Sequence, residues 1–504
     1  MVGRRVQRLV RYGRVIGCAA LVASCAQLIH NDPVNQPLTA NPEPVQAGAY
    51  TEEQNTPDDI VVALTFSGGG MRAAAFSYGV LTGLEETQVA TSRRTISLVD
   101  HIDFISGVSG GSILAAYYGL KGRQALSDFR ERFLLANPEE HLQTNLSLFN
   151  IARGLEGGIN DSTEFPSWLD AHLFDHATFR QLLTGRRPVV WINASDIYNR
   201  TAFLFTPVTF SALCSNLADY PISLGVAASA AVPVVFAPIV VQNYPDGCPA
   251  ALPAWVAHVL KDPTAAPIMK SYAESLERYR TGEVKYVKLL DGGLVDNLGL
   301  SGITITRLAN TTAYGPLEPE EAVKLRRLLF LVVDAGRAPS GAWVQSVAGP
   351  SGVDLINAAS DTATESGALS SYLSFQITMN AWKDALTKWR CHLSEAERHR
   401  YGAGPNWNCK DIRFFVGRIA FDELGPERAG ALNRVETTLR LPADQVDMLI
   451  AAGHDALNAN LAFRGFLQLP PAKPRQHSLP IAAPIQHSQQ ALATEGNQTP
   501  ADQQ

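Results

Sequence analysis

The 504-residue chain lacks several features that would place it in a common class. It has no run of 18 or more apolar residues, which excludes an ordinary transmembrane helix. Acidic residues outnumber basic ones, 48 against 42, and the net charge of −6 argues against a general nucleic-acid binder. No Cys-x-x-Cys pair and no His/Cys cluster has zinc-ligand spacing, so neither a metal nor a cofactor is expected. The 46% apolar content is typical of a globular protein.

The N-terminus carries a different charge pattern from the rest of the chain. Residues 1–24 contain five Arg and no acid, and their apolar stretch Val15–Ala23 precedes Ser24 and Cys25. A basic head followed by an apolar stretch predicts a signal peptide over residues 1–24. The small residues before Cys25 resemble the lipobox of bacterial lipoproteins, which predicts lipidation of Cys25. A plain signal peptide with a fortuitous cysteine is the alternative.

The next residue is Ala26 rather than Asp. By analogy with lipoprotein sorting, this favours the outer membrane of a bacterial cell envelope, with the protein facing the periplasm.

Composition divides the remaining chain into three parts. Residues 25–57, rich in Pro, Asn, Gln and Thr, predict a flexible tether, and the Pro- and Gln-rich residues 467–504 predict a disordered tail. Residues 58–466 are then expected to form one domain, with motifs within 60–300 and further elements and an insertion over 301–466. Four cysteines remain in this body, and the pairs nearest in sequence are Cys214–Cys248 and Cys391–Cys409. Three connectivities, or buried free thiols, stay open.

The body predicts an α/β fold, because buried strands alternate with helices. Continuous apolar runs of this kind are typical of a parallel sheet covered on both faces. The predicted strands are 60–66, 102–106, 188–193, 285–290 and 328–333. The predicted helices are 71–84, 112–119 and 445–466, with helical insertions over 121–185, 253–281 and 340–408.

The first motif is a G-x-S-x-G pattern, Gly107-Val108-Ser109-Gly110-Gly111. A serine on a tight turn between a strand and a helix projects its hydroxyl outward, and the glycines relieve crowding. Ser109 is therefore a candidate nucleophile. A Gly-rich turn with a helix-capping serine is an equal alternative on this pattern alone.

The second motif is Ser67-Gly68-Gly69-Gly70-Met71-Arg72, which follows a buried strand and precedes a helix. Its bare N–H groups could stabilise an oxyanion or bind phosphate at a helix N-terminus. It is neither a P-loop nor a dinucleotide fingerprint. A tight turn that needs positive φ is the structural alternative.

The third motif is Asp291-Gly292-Gly293, at the end of a predicted strand. A carboxylate there can reach across neighbouring strand ends. A turn-forming Asp that binds its own backbone is the alternative. The nearby Asp296 and Asn297 are expected to shape the turn rather than to act chemically.

These motifs, in this order, resemble those of the patatin-like phospholipase family, with G-G-G-x-R/K, then G-x-S-x-G, then D-G-G/A. A fourth block, 228–236, is similar to the family's A-S-x-A-x-P-x-x-F segment. The resemblance covers about residues 60–300. It implies a three-layer α/β/α sandwich and a Ser–Asp dyad, Ser109 and Asp291, that hydrolyses acyl lipids through an acyl-enzyme.

In that dyad Asp291 is the base, and burial without a neighbouring cation should raise its pKa. The N–H groups of Gly69 and Gly70 would form the oxyanion hole, with Gly68 or Gly110 as further donors. Arg72 would hold the glycine loop or meet a lipid phosphate. No histidine lies in the motifs, and His101, His172 and His176 are candidates only by number.

Two other functions remain open at this stage. An acyltransferase would use the same acyl-enzyme, and a non-catalytic envelope lipoprotein would use only the scaffold. The expected partners are an acyl lipid substrate and a membrane reached through lipidated Cys25, with no nucleic acid and no obligate protein partner. Trp382 and Trp389 could insert into the membrane, although aromatic residues at this spacing are more often core.

The lipid anchor makes a testable prediction. Cys25→Ala should abolish incorporation of labelled fatty acid and release the protein from membranes, because the thiol is the proposed site of acylation. Fractionation of cells grown with labelled palmitate measures both. Retention of the variant in membranes would require another anchor.

Overall fold

The computed structural model describes residues 31–39, 59–91, 94–140, 142, 158–184, 187–339, 341–404 and 406–468. The predicted signal peptide, Cys25 and nearly all of the predicted tail lie outside these ranges. The ten strands of the described part are β1 Ile60–Phe66, β2 Gln88–Ala90, β3 Thr95–Ser97, β4 Phe104–Val108, β5 Val189–Asp196, β6 Thr201–Leu204, β7 Ile239–Gln242, β8 Tyr286–Leu290, β9 Arg327–Val333 and β10 Arg413–Ile419.

Helices connect and cover these strands. In chain order the α-helices of the described residues are α1 Gly70–Glu86, α2 Gly110–Lys121, α3 Ala125–Phe129, α4 Glu164–Leu169, α5 Phe179–Leu182, α6 Pro207–Ala212, α7 Ile222–Ser229, α8 Ala254–Lys261, α9 Pro267–Arg280, α10 Gly293–Asp296, α11 Ser301–Ala309, α12 Pro319–Lys324, α13 Val353–His392, α14 Glu395–Arg400, α15 Pro426–Asn433, α16 Ala443–Ala459 and α17 Leu461–Phe466. Short 3₁₀ turns lie at Leu98–His101, Gly122–Gln124, Ala342–Gln345 and Phe421–Leu424, and π turns at Arg130–Leu134 and Asp170–Phe174.

Eight strands form one mixed, mostly parallel sheet in the order β10-β9-β1-β4-β5-β8-β7, with β6 paired to β5. The run from β10 to β5 is parallel, whereas β8 runs antiparallel to both β5 and β7. The predicted α/β class with a mostly parallel sheet is confirmed. Strand β1 has the predicted bounds, because its continuous apolar run is buried on both faces.

The sheet separates two apolar cores. Successive side chains of a strand point to opposite faces, so Leu329 and Leu331 of β9 enter one core while Leu328 and Phe330 enter the other. Helices α1, α2 and α16 pack in the first core, and the C-terminal half of α13 covers the second. This arrangement is the three-layer sandwich that the motifs imply.

The second core includes two aromatic residues of the insertion, which agrees with the more common role expected for them. Trp382 is buried against Phe414 of β10, and Trp389 packs on Tyr314 and Tyr401. Both aromatic residues are therefore structural and do not face a membrane. They are held there because the back of the sheet needs an apolar cover.

The four body cysteines form the two pairs nearest in sequence, Cys214–Cys248 and Cys391–Cys409. The second bridge joins the end of α13 to the segment before β10. It therefore fixes the covering helix to the strand that it packs against.

Part of the predicted tether is docked on the body rather than free. Residue Asn35 binds Ser215 and the Gln242 backbone through its side chain, and the Leu38 N–H donates to the Cys214 carbonyl. The polar composition of this segment suits side-chain hydrogen bonds to loops as well as it suits solvent, which is why composition did not reveal the contact.

Candidate active site

Strands β4 and β8 bring two distant parts of the chain together end to end. Residue Asn193 of β5 pairs with Val108 of β4 on one edge and with β6 on the other. Since Ser195 also pairs with β6, its second partner, Leu290 of β8, must lie on the same edge as β4. The two strands run in opposite directions along this edge, so the residues that follow them converge.

The residue that follows β4 is Ser109, in a strained turn with φ 51° and ψ −125°. Its N–H donates to Ser229 Oγ at 2.8 Å, and its carbonyl accepts from the N–H and the hydroxyl of Ser112. The Ser109 side chain makes no capping hydrogen bond to α2, so the helix-cap alternative is not supported. The turn instead presents the hydroxyl toward β8, as a nucleophile elbow does.

The residue that follows β8 is Asp291. Its carboxylate accepts a hydrogen bond from the Gly293 N–H at 2.8 Å. It also lies close enough to the Ser109 side chain for that hydroxyl to lower its pKa. Its backbone is fixed as well, because its N–H donates to Ala231 and its carbonyl accepts from Ser195 Oγ. The structure therefore brings Ser109 and Asp291 together, and Asp291 also forms the turn that was its alternative role.

Burial sets the electrostatics of this pair. Desolvation raises the pKa of Asp291 from 3.8 to about 6, although the hydrogen bonds from Ser109 and Gly293 oppose the shift. Among the described residues, no cation contributes to that pKa. The carboxylate is therefore a stronger base than an exposed aspartate while it remains ionised near neutral pH.

No histidine of the described chain contacts this pair. His172 stacks on Trp168 and hydrogen-bonds its carbonyl, and His176 pairs with Asp170. His101 Nε2 is buried without a partner. None of the three is placed to accept the Ser109 proton.

The glycine loop lies against the serine turn. A Cβ on Gly110 would fall 1.9 Å from the Gly70 carbonyl oxygen, so only glycine permits this approach. Gly69 and Gly70 have φ of 132° and 58°, which also makes the loop the positive-φ turn of the structural alternative. The amides of Gly69, Gly70 and Gly110 have no hydrogen-bond acceptor among the described residues. They are therefore available to an oxyanion beside Ser109.

The Gly68 amide differs from these three, because it donates to the Asn297 carbonyl at 3.1 Å. Gly68 was predicted as a further oxyanion donor, and this contact removes it from that role. The absence of a side chain at Gly68 permits close packing instead. A Cβ there would lie 2.5 Å from Asn297 Oδ1 and 3.3 Å from Ser109 Cβ.

Arg72 supports the loop from beneath and does not reach solvent. It is 3% exposed, and it donates to the carbonyls of Ala335 and Val435 and to Thr437 Oγ1. Desolvation lowers its pKa to about 10, so it stays charged at neutral pH. This placement favours the predicted loop-holding role over contact with a lipid phosphate.

Sequence reasoning missed several groups that organise the site. Ser229 Oγ accepts from the Ser109 N–H and donates to the Asn193 carbonyl, which links the serine turn to β5. The Thr438 carbonyl accepts from the Met71 N–H and so fixes the glycine loop. Ser229 lies in the fourth motif block, which was the available signal, whereas nothing in the sequence marks Thr438. Asp296 accepts from Ser301 and Ser371, in line with its expected turn-shaping role.

Comparison with known proteins adds a family to this geometry. Residues 64–302 match the family model of patatin-like phospholipases, a range that includes all four motif blocks. The chain therefore contains a patatin domain, and the family implies a lipid acyl hydrolase. A search of curated proteins gives no significant match.

The described residues contain neither a cluster suited to a metal ion nor a helix suited to cross a membrane. No group of three or more His, Cys, Asp or Glu side chains there has the arrangement of a metal site. None of the helices in the same ranges combines the length and apolarity needed to span a bilayer.

The Arg72 contacts predict a structural role. Arg72→Met keeps the length of the side chain but leaves the Ala335 and Val435 carbonyls without their donor. We expect a loss of about 2–4 kcal/mol in the free energy of unfolding, measured by urea denaturation. The exposed Arg123→Met, which removes only surface ion pairs, should change stability far less. Equal losses in the two variants would contradict the proposed support of the loop.

The raised pKa of Asp291 predicts that the ionised carboxylate lowers the stability of the fold. Because folding raises this pKa, the native state binds the proton more tightly than the unfolded state, and the group destabilises the fold as pH rises from about 4 to 6. Asp291→Asn should therefore stabilise the protein by about 1–3 kcal/mol at pH 8. The gain should disappear below pH 4, where the wild-type carboxyl is protonated.

Thermal unfolding at pH 8 and pH 4 measures this difference. Asp262→Asn is the matched control, because hydrogen bonds from Thr264 lower the pKa of that exposed carboxylate. It should bring no gain at pH 8. A destabilised Asp291→Asn at pH 8 would show that the carboxylate is not under electrostatic strain.

Proposed function

With a patatin-like phospholipase domain at residues 64–302 as the premise, we propose that this protein is a serine acyl hydrolase that cleaves carboxylic esters of phospholipids or related acyl lipids. The observation that carries the proposal is the placement of the Ser109 side chain beside the desolvated Asp291 carboxylate, whose pKa is raised to about 6. A hydroxyl needs a base to become a nucleophile, and this pair supplies both groups.

The first half-reaction forms an acyl-enzyme. Asp291 accepts the Ser109 proton as Ser109 Oγ attacks the ester carbonyl carbon, and the carbonyl oxygen becomes an oxyanion. The amides of Gly69, Gly70 and Gly110 stabilise that charge, and each such donor is typically worth about 3–4 kcal/mol of barrier. The intermediate collapses, the bond to the alcohol breaks, and the leaving oxygen takes the proton back from Asp291.

The second half-reaction restores the enzyme. Asp291 accepts a proton from water, whose oxygen attacks the acyl carbon, and Ser109 leaves with that proton while the fatty acid is released. A single carboxylate can serve both steps, because its pKa of about 6 lies close to the working pH. An aspartate at 3.8 would be about two orders of magnitude less basic.

This mechanism predicts how activity depends on both residues and on pH. Ser109→Ala and Asp291→Asn should each lower kcat/KM for ester hydrolysis at least about 10³-fold. In the wild type, kcat/KM should fall about tenfold for each pH unit below about 6, because the protonated carboxyl cannot act as the base. Initial rates with a soluble p-nitrophenyl ester between pH 4 and 8 measure both effects.

Matched controls separate catalysis from folding. The surface changes Ser127→Ala and Asp262→Asn alter the same residue types away from the site and should leave kcat/KM within about twofold. A fluorophosphonate probe should label the wild type at Ser109 and should not label Ser109→Ala. If Asp291→Asn kept near-full activity, the base would be another group, and an unlabelled wild type would favour a non-catalytic scaffold.

We extend the proposal to location, with a lipid on Cys25 holding the enzyme at the bacterial cell envelope, where its substrates are concentrated. The support is the basic head, the apolar stretch and the small residues before Cys25. The acyltransferase alternative uses the same acyl-enzyme. It would be distinguished by acyl transfer to an added alcohol in place of release of the free acid.

A further inference from the structure

The stretch of α13 from Leu355 to Ile377 turns an apolar face to solvent. Leu369 is 65% exposed, Leu373 52% and Ile377 71%, and their spacing of four residues puts them on one side of the helix. The exposed Leu355 falls on the same side at 100° per residue, and Ile356 lies at its border. We call these five residues the outer face of α13.

The opposite side of the helix binds the body. Phe375 and Met379 are buried there in the second core. Two of the three acidic residues of this stretch also approach the body, because Asp361 pairs with Arg337 and Glu365 approaches Gly336. The third, Asp354, is exposed and precedes Leu355 at the start of the helix. The outer face is itself uncharged, and it extends over about 30 Å from Leu355 to Ile377.

Helix α13 lies beside the turn that follows Asp291. Ser371 Oγ donates to Asp296 Oδ1 at 3.0 Å, and a Cβ on Gly367 would meet the Val295 carbonyl at 3.4 Å. Both contacts are to α10, which begins two residues after Asp291. The helix therefore crosses the turn that carries the proposed base and leaves its apolar side turned outward there.

A second apolar patch adjoins the same turn from another part of the chain. Val232 and Val235 are each more than a third exposed, and they follow Ala231, whose carbonyl accepts from the Asp291 N–H. Exposed Trp343 lies before α13, and tryptophan side chains favour the boundary between water and lipid. Two elements that are distant in sequence, α13 and the segment after α7, therefore both approach the Asp291 turn and both carry exposed apolar residues.

We infer that the outer face of α13, together with Val232 and Val235, docks this protein on a lipid bilayer with the Ser109–Asp291 site at the contact. This inference rests on the proposed function, since a bilayer both covers the apolar residues and delivers an acyl lipid to the serine. A second copy of the chain would cover the same residues but would block that approach.

The charge pattern favours insertion of apolar side chains over electrostatic attraction. Between Arg337 and Lys383 the chain has no basic residue and has three acidic ones. Such a surface gains nothing from anionic head groups. Its affinity should come from the apolar area transferred into the boundary region of the bilayer, so it should persist at high salt.

The test is sedimentation with phosphatidylcholine vesicles. The full chain carries Cys25→Ala and Ser109→Ala, so that neither a lipid anchor nor hydrolysis affects binding. Adding Leu373→Gln and Ile377→Gln should weaken the vesicle partition coefficient about tenfold or more. Adding Leu135→Gln and Ile197→Gln, exposed apolar residues on other elements, should change it less than about twofold. Binding in 1 M NaCl should match that at 0.1 M.

Equal binding by the two double variants would overturn the inference. A dimer in size-exclusion chromatography that only the Leu373/Ile377 variant loses, with vesicle binding unchanged, would overturn it in favour of a second copy.

Measurements of Tm and of activity on a soluble ester separate an effect on docking from an effect on folding or catalysis. With Ser109 intact, the Leu373/Ile377 variant should keep the wild-type Tm and the wild-type rate on soluble p-nitrophenyl butyrate, while its rate on vesicles falls about tenfold. A wild type that fails to hydrolyse the soluble ester would contradict the proposed function, while the vesicle sedimentation would still decide the docking surface.

Discussion

The site depends on one pairing, which places the Ser109 hydroxyl beside an Asp291 carboxylate that is shielded from water. The fold creates it by letting β4 and β8 meet end to end along one edge of β5. The burial that raises the pKa of Asp291 is destabilising in itself. Packing on both faces of the sheet compensates for it, as expected where function requires a group in an unfavourable state.

Support for the site comes from beyond the matched family range. Arg72 binds the backbone near 335 and 435, and the Thr438 carbonyl fixes the Met71 amide. The C-terminal part of the chain therefore holds the glycine loop in the geometry that leaves the Gly69 and Gly70 amides open. In this protein the domain at residues 64–302 is one half of a larger packed body whose sheet also includes β9 and β10.

The sequence predicted what local pattern determines. Strand β1 was predicted with its observed bounds. Ser109 and Asp291 were identified as candidates because each lies in a glycine-rich motif at the end of a predicted strand. The predicted helix 445–466 is two helices, because the Asn460 side chain caps the N–H groups of Ala462 and Phe463 and starts α17 anew. Strand β10 received no prediction, since its apolar residues are interrupted by Gly417 and bounded by Arg413 and Arg418. The antiparallel course of β8 and the long-range partners of Arg72 depend on contacts between distant segments, which no local pattern encodes.

The docked segment at residues 31–39 limits how any N-terminal anchor could act. Asn35 and Leu38 hold this segment on the loop at 214–215 and on Gln242 at the end of β7. Only residues 26–30 would then separate an acyl group on Cys25 from the docked chain, a span of at most about 20 Å when fully extended. This short connection would keep the protein at the leaflet that holds the acyl group. It would also restrict how far the body can rotate relative to the membrane.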